Sequence, residues 1–294
     1  MPWQFSVLFY VFLSSSRAIV NRRIGLLKQD VSLYALSASF ICVASVGVVS
    51  SLLLPGNINH TAAREAWIFI VGGGSLFAVL NLLVLKLFRY VPASIAVFMS
   101  LLNTLSVIIF AYVLTSESLT GVQWLGAGVL LTAVILIALI AQKRKGVKKH
   151  QNMLLGTGLA VAAALLFGPA IVNENYLIGR IGIETYLLYG WGLQAIMSLL
   201  LAFTLRDKSK STRKLPVKIH RLVWLYGGLL GAAGFFFVQS LNDSGNSSVT
   251  SISATARVAV VVVFSYVLLG EKDNLKLKLL GLVITGIGLT LLFA

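Results

Sequence analysis

Apolar runs of membrane length recur along this chain, each closed by a short polar connection. A helix rises about 1.5 Å per residue and the hydrocarbon layer is about 30 Å thick, so a crossing needs roughly 20 residues. Ten such runs fit, near 3–22, 31–54, 66–88, 92–115, 121–142, 153–173, 183–205, 221–241, 247–269 and 275–293. Little chain is left over for a soluble domain. The runs also repeat. Ala18-Ile19-Val20-Asn21 returns as Ala170-Ile171-Val172-Asn173, and the same offset aligns Val31 with Ile183, Tyr34 with Tyr186 and Leu36 with Leu188. Five segments are followed by five related ones, and because five is odd the second set crosses the bilayer in the opposite sense to the first. The expected fold is an all-α integral membrane protein of ten transmembrane helices in a 5+5 inverted repeat, with repeats at 1–146 and 147–294.

Composition agrees. Of 294 residues 58% are hydrophobic and 11% charged, and the mean hydropathy of +0.92 is more apolar surface than a soluble core of this size hides. The first run lacks a basic start and is followed by Arg22 and Arg23 instead of a small-residue cleavage site, so it reads as a spanning helix and not a secretory leader. The single Cys42 lies in an apolar run and leaves no disulfide framework or metal cluster.

The net charge of +15 raises the question of nucleic acid, and the placement of the bases answers it. Twenty of the 24 Lys and Arg residues lie in connections after odd-numbered segments, while connections after even-numbered segments hold only Arg64 and Arg180. Basic short loops stay cytoplasmic, which predicts both termini outside; bases spread by loop do not form a nucleic-acid groove and suit contact with anionic lipid headgroups. No nucleic-acid partner is expected; membrane lipids and a small-molecule substrate are, and a monomer and a homodimer both fit. Trp3, Trp67, Trp124 and Trp224 sit near segment starts, where an amphipathic ring favours the headgroup boundary.

Each half ends in the same grammar. The first reads Val91-Pro92-Ala93-Ser94-Ile95-Ala96, then Tyr112-Val113-Leu114-Thr115-Ser116-Glu117, then Gln123-Trp124-Leu125-Gly126-Ala127-Gly128. The second reads Ser247-Ser248-Val249-Thr250-Ser251-Ile252, then Tyr266-Val267-Leu268-Leu269-Gly270-Glu271, then Leu279-Leu280-Gly281 on to Gly286 and Gly288. This pattern resembles the EamA-type domain of the drug/metabolite transporter superfamily, duplicated over the whole chain. The resemblance implies ten helices around a central cavity and export or exchange of small organic metabolites, such as amino acids or organic anions, without ATP and without a cofactor. Two features depart from it: no proline stands midway along the fourth helix of either unit, where Asn103-Thr104 and Arg257-Val258 fall, and the loop charges place the termini outside where the family usually has them in the cytoplasm. The expected location is the plasma (inner) membrane, as a multi-pass protein.

A charge inside the hydrocarbon layer is costly unless paired or wetted, so an intramembrane ionisable residue is a candidate site. Arg257 lies about ten residues into the ninth segment, too deep to reach the headgroups, after a start rich in Ser and Thr. Arg17 follows Ser14, Ser15 and Ser16 and either faces a cavity or reaches the cytoplasmic interface. Two guanidiniums in a cavity would favour a carboxylate or phosphate, which their planar fork binds in bidentate fashion. Asn103, Gln239, Asn81 and Trp191 complete the candidate substrate-binding set, each with helix packing as its plainer alternative, and Asn173 and Gln194 are weaker members. Pro169 is a hinge or a static kink; the glycines at 72–74 and at 227 and 231 read as packing.

All nine acidic residues fall in expected loops or helix ends, so no buried proton relay is expected, with Glu174 as the one exception to watch. There is no phosphate-binding loop, metal-ligand set or Ser-His-Asp arrangement. The leading reading is a secondary transporter working by rocking of two repeats; a lipid or lipid-linked sugar flippase on the same fold is the alternative. A membrane-embedded enzyme using Glu117 and Glu271 is the third, though their equivalent places suit capping of the following helix. Asn59-His60-Thr61 and Asn246-Ser247-Ser248 match glycosylation acceptors.

Overall fold

The computed structural model describes residues 3–115, 120–142, 152–205, 215–271 and 275–293. Regular structure among them is entirely helical: α1 (Trp3–Gly25), α2 (Ser32–Leu53), α3 (His60–Glu65), α4 (Trp67–Tyr90), α5 (Ala93–Met99), α6 (Leu101–Thr115), α7 (Gly121–Gln142), α8 (Met153–Ile181), α9 (Ile183–Thr204), α10 (Val217–Ser244), α11 (Ser247–Ala254), α12 (Arg257–Leu269) and α13 (Leu275–Phe293). Eight spans among the described residues are long and apolar enough to cross a membrane, counting α5–α6 and α11–α12 as one each. α1 is long enough but carries Ser14, Ser15, Ser16, Arg17 and Asn21, and α7 contributes a shorter apolar stretch, Gly121–Leu136.

The fourth and ninth apolar runs are each two helices. After α5 the N–H of Asn103 bonds to the Ser100 carbonyl at 3.0 Å, and after α11 the N–H groups of Thr255 and Ala256 reach back only three residues, to Ile252 and Ser253. Hydroxyls do here what proline does elsewhere: Ser100 Oγ donates to the Val97 carbonyl at 2.7 Å and Thr255 Oγ1 to the Ile252 carbonyl at 2.6 Å, competing with the helical ladder at the turn where it breaks. The absence of proline at these places therefore does not keep the helices whole.

The two halves exchange neighbours. α1 packs on α10 and α12 as α8 packs on α4 and α6; α2 lies against α10 as α9 lies against α4; α2 meets α9, and α7 meets α13. Small residues set the closest approaches. A Cβ on Gly227 would stand 2.9 Å from Ser39 Cα and from Cys42 Sγ in α2, so this α2–α10 contact admits glycine only.

The connections also separate by face. Arg89 pairs with Asp30 at 3.2 Å, joining the end of α4 to the turn before α2, and Arg22 donates to the Phe88 carbonyl at 2.8 Å. On the other face Asn59 N–H donates to Thr185 Oγ1 at 2.9 Å, His60 Nδ1 meets Tyr189 Oη at 2.6 Å, and Arg180 lies 3.9 Å from Glu65. Among the described residues the α1–α2 and α4–α5 connections thus meet at one end, and those around α3 and between α8 and α9 meet at another. Asn59 and Asn246 cap α3 and α11, each Oδ1 accepting an N–H at 2.9 Å.

Two expected boundaries move. α8 runs eight residues past 173, to Ile181, and α3 is a short helix the hydropathy pattern does not reveal. Glu271 caps a helix, but not the one that follows it: its carboxylate accepts from the N–H groups of Ala93 and Ser94 at 3.0 and 3.3 Å and from Ser94 Oγ at 3.0 Å, at the start of α5 in the other half. Glu117 lies outside the described residues.

Candidate functional site

Between the halves lies a cavity of about 1220 Å³, its open mouth included, lined from α1, α2, α4, α5, α6, α8, α9, α10 and α12. Its walls are mainly apolar, with polar groups at a few places, which is how small-molecule sites are commonly built.

Arg257 is the first residue of α12, at the break itself. Its Nη1 donates to Tyr10 Oη at 3.0 Å and its Nη2 to Ser100 Oγ at 3.0 Å, so groups from α1 and the α5–α6 break hold the guanidinium at the cavity wall. Ser15 Oγ donates to the Val11 carbonyl of its own helix at 2.6 Å and lies 3.4 Å from the Arg257 carbonyl, so α1 passes close to the break. Among the described residues no carboxylate is within ion-pair distance of Arg257. Arg17 also lines the cavity and stands without a hydrogen bond or ion pair among the described residues. The wall thus presents two guanidiniums with no carboxylate in ion-pair range among the described residues.

Four other expected residues can be placed against this cavity. Asn103, Asn81 and Trp191 line it; Asn81 Nδ2 donates to the Phe77 carbonyl of its own helix at 2.9 Å. Trp191 is 3% exposed, and a Cβ on Gly234 would touch its ring at 3.3 Å. Gln239 does not join them: it lies off the cavity wall, donating to Asp243 Oδ1 at 2.8 Å one turn along α10. Pro169 is inside α8 and also off the wall, while Asn173 donates to the Phe69 carbonyl at 3.0 Å, tying α8 to α4.

Sequence reasoning did not single out Tyr10, Asn21 or Ser100, and it put Glu174 at a helix end. The structure corrects this last point. Because α8 continues to Ile181, Glu174 lies well within a helix, 4% exposed, on the cavity wall. Tyr186 Oη donates to its Oε1 at 2.6 Å, and Gln194 Nε2 donates to Tyr186 Oη at 3.1 Å. On α8 the wall residues Phe167, Ile171 and Glu174 share one face; Phe167 also borders a small recess with Tyr10, Ser100 and Arg257. Glu174 is seven residues farther along, about 10 Å of helix. The carboxylate and the Arg257 guanidinium therefore occupy different levels of one cavity. The repeat held the clue to two of these residues, since Asn21 aligns with Asn173 and Arg22 with Glu174.

A multi-helical bundle with a mainly apolar cavity, carrying a few polar and charged groups, between two related halves fits a membrane-transport architecture. The EamA-like transporter family matches residues 1–139 and again residues 154–294, and the chain belongs to that family, within the drug/metabolite transporter superfamily. It is an integral, multi-pass membrane protein. A solved crystal structure matches with a TM-score of 0.67 over 98% of this chain and 95% of its own, at 15% identity; at that identity the likeness is one of fold. No curated protein sequence matches.

Proposed function

We propose that this protein is a secondary transporter that exports or exchanges small organic metabolites bearing a carboxylate or phosphate. The observation that carries the reading is the Arg257 guanidinium, fixed by Tyr10 and Ser100 on the wall of the inter-repeat cavity with no acid beside it among the described residues. A guanidinium so placed keeps donors available for a planar anion, and Arg17 adds a second positive charge to the same cavity. Asn103, Asn81 and Trp191 supply neutral polar and aromatic wall around the rest of the substrate.

In this reading α1 and α7 join the eight apolar spans to give ten crossings, arranged as two inverted five-helix repeats at 1–146 and 147–294. The repeats rock about the cavity, opening it alternately to each face. The segregation of basic connections puts the α1–α2 turn on the cytoplasmic side and both termini outside, in the plasma (inner) membrane. Continuous α8 around Pro169 flexes during the rocking, since the carbonyl four residues earlier lacks its helical donor.

Counterflow in proteoliposomes, with a panel of amino acids, organic anions and phosphorylated metabolites, tests the proposal. Wild-type protein exchanges one anionic class, Arg257→Ala loses that exchange, and Arg257→Lys recovers a part of it. Equal exchange by all three proteins removes Arg257 from the site, and absence of exchange with every anion overturns the substrate class.

A further inference from the structure

We infer that Glu174 is a proton-binding site, and that binding of an anion at the guanidinium level of the cavity is accompanied by proton uptake at Glu174, so that anion and proton cross together. The inference rests on the transporter reading of the same cavity and adds its coupling ion.

Glu174 is a cavity-wall carboxylate, 4% exposed, inside a membrane-length helix. Such a group is kept only with a compensating partner or with a function. Its protein partner is a neutral donor, Tyr186 Oη at 2.6 Å, which Gln194 holds in turn. No Lys, Arg or His among the described residues is in ion-pair range of it. The contrast with the equivalent place in the first half is direct: Arg22, also buried, has Glu271 at 3.5 Å and the Phe88 carbonyl as partners. Whatever neutralises Glu174 must therefore arrive through the cavity. A metal cation is poorly served, since no cluster of three His, Cys, Asp or Glu residues exists among the described residues. A proton needs one carboxylate oxygen and a neighbour that can exchange hydrogen bonds, and the Tyr186–Gln194 pair provides that neighbour whether Glu174 is charged or neutral.

The surroundings explain why the proton would follow the anion. From α9 Glu174 faces Tyr186; from α4 its cavity neighbours Phe77, Leu80 and Asn81 are uncharged; α2 and α10 present Phe40, Val43, Gly234 and Phe237. The titratable groups of α3, His60, Arg64 and Glu65, lie at the outer end, where His60 holds Tyr189 and Glu65 approaches Arg180. On α8 itself Tyr176 accepts from Arg180 at 2.6 Å. On α10 Tyr226 is buried away from the cavity wall. Of α5, α6, α7 and α11, none brings a charged group to the cavity wall among the described residues. The charges that do share the cavity with Glu174 are Arg257 and Arg17. The link is the shared cavity: an anion held at Arg257 and Arg17 brings negative charge into the space that Glu174 also lines, and uptake of a proton by the carboxylate removes one of the two negative charges there; by reciprocity the proton tightens the anion site by the same factor.

Infrared titration of the full-length protein in lipid tests the site without any assumption about transport. A protonated-carboxyl band appears as pH is lowered, is absent from Glu174→Gln, and grows when succinate or inorganic phosphate is added at fixed pH. Tyr186→Phe, which leaves the carboxyl in place, retains the band but moves it to higher frequency through loss of the hydrogen bond. A band that is indifferent to the added anion, or that survives in Glu174→Gln, overturns the inference. In proteoliposomes Glu174→Gln loses accumulation driven by a pH gradient; accumulation equal to wild type overturns the coupling. Wild-type protein that moves no anion while its infrared band behaves as described fails the transporter reading alone.

Discussion

Arg22 and Glu174 occupy the same position in the two repeats, and they are treated in opposite ways. Arg22, 3% exposed, is stitched into four pieces of chain: it donates to the Phe88 carbonyl and pairs with Glu271, whose carboxylate caps α5 and whose own carbonyl accepts from Lys278 Nζ at 2.9 Å. Its charge is settled within the protein and it lies off the cavity wall. Glu174 has the Tyr186 phenol, itself held by the Gln194 amide, and the cavity. The two related halves thus each hold one buried ionisable group at this position, one paired within the protein and the other on the cavity wall. Burial and depth do not separate the two roles; the presence of an opposite charge does.

The largest expected effect breaks the structural member. Removing one partner of a buried pair leaves the other uncompensated, so Glu271→Ala, which also uncaps α5, and Arg22→Ala should each cost about 3–5 kcal/mol, measured by thermal unfolding in detergent. A cost near that of a surface substitution would mean that the cluster does not join the halves. Next comes Arg257→Ala, which removes the charge offered to the anion: exchange should fall at least about 10-fold, because a hydrogen bond to a charged group contributes about 1.5–3 kcal/mol. Glu174→Gln should then cost stability by less than about 1 kcal/mol, since the amide oxygen still accepts from Tyr186; a loss equal to that of Arg22→Ala would erase the distinction between the two positions.

The smallest effect belongs to the exposed pair of Arg89 and Asp30. Burial raises the Asp30 carboxyl, but the Ser32 N–H and hydroxyl and the charges of Arg89 and Lys86 outweigh it and leave the group below its usual value. A carboxylate depressed in the folded state stabilises above its unfolded value, and that contribution disappears as pH falls through the folded one. Asp30→Asn should cost below about 1 kcal/mol at neutral pH, with the difference from wild type vanishing in acid.

The fold was largely legible because hydropathy reports length and burial together, and the repeat offset reports architecture. It could not reveal the breaks at Ser100 and Thr255: a hydroxyl that interrupts a helix and one that merely bonds within it have the same letter. Arg257 stood out since an arginine in an apolar run has few explanations. Glu174 was misplaced by a boundary, because the residues after 173 are mixed enough to read as a connection while α8 carries them on to Ile181. Gln239 looked like a cavity residue by depth alone, but depth does not fix which way a helix turns, and its side chain bonds to Asp243.

The central claim is that the cavity is the transport pathway, open to each face in turn. With the lone Cys42 replaced by Ser, Asn103→Cys places a thiol on the cavity wall, and a membrane-impermeant thiol reagent can be applied to either side of oriented vesicles. The account predicts labelling from both faces, slowed by the anion that the wild type exchanges. Labelling from neither face, or at a rate indifferent to that anion, would contradict it.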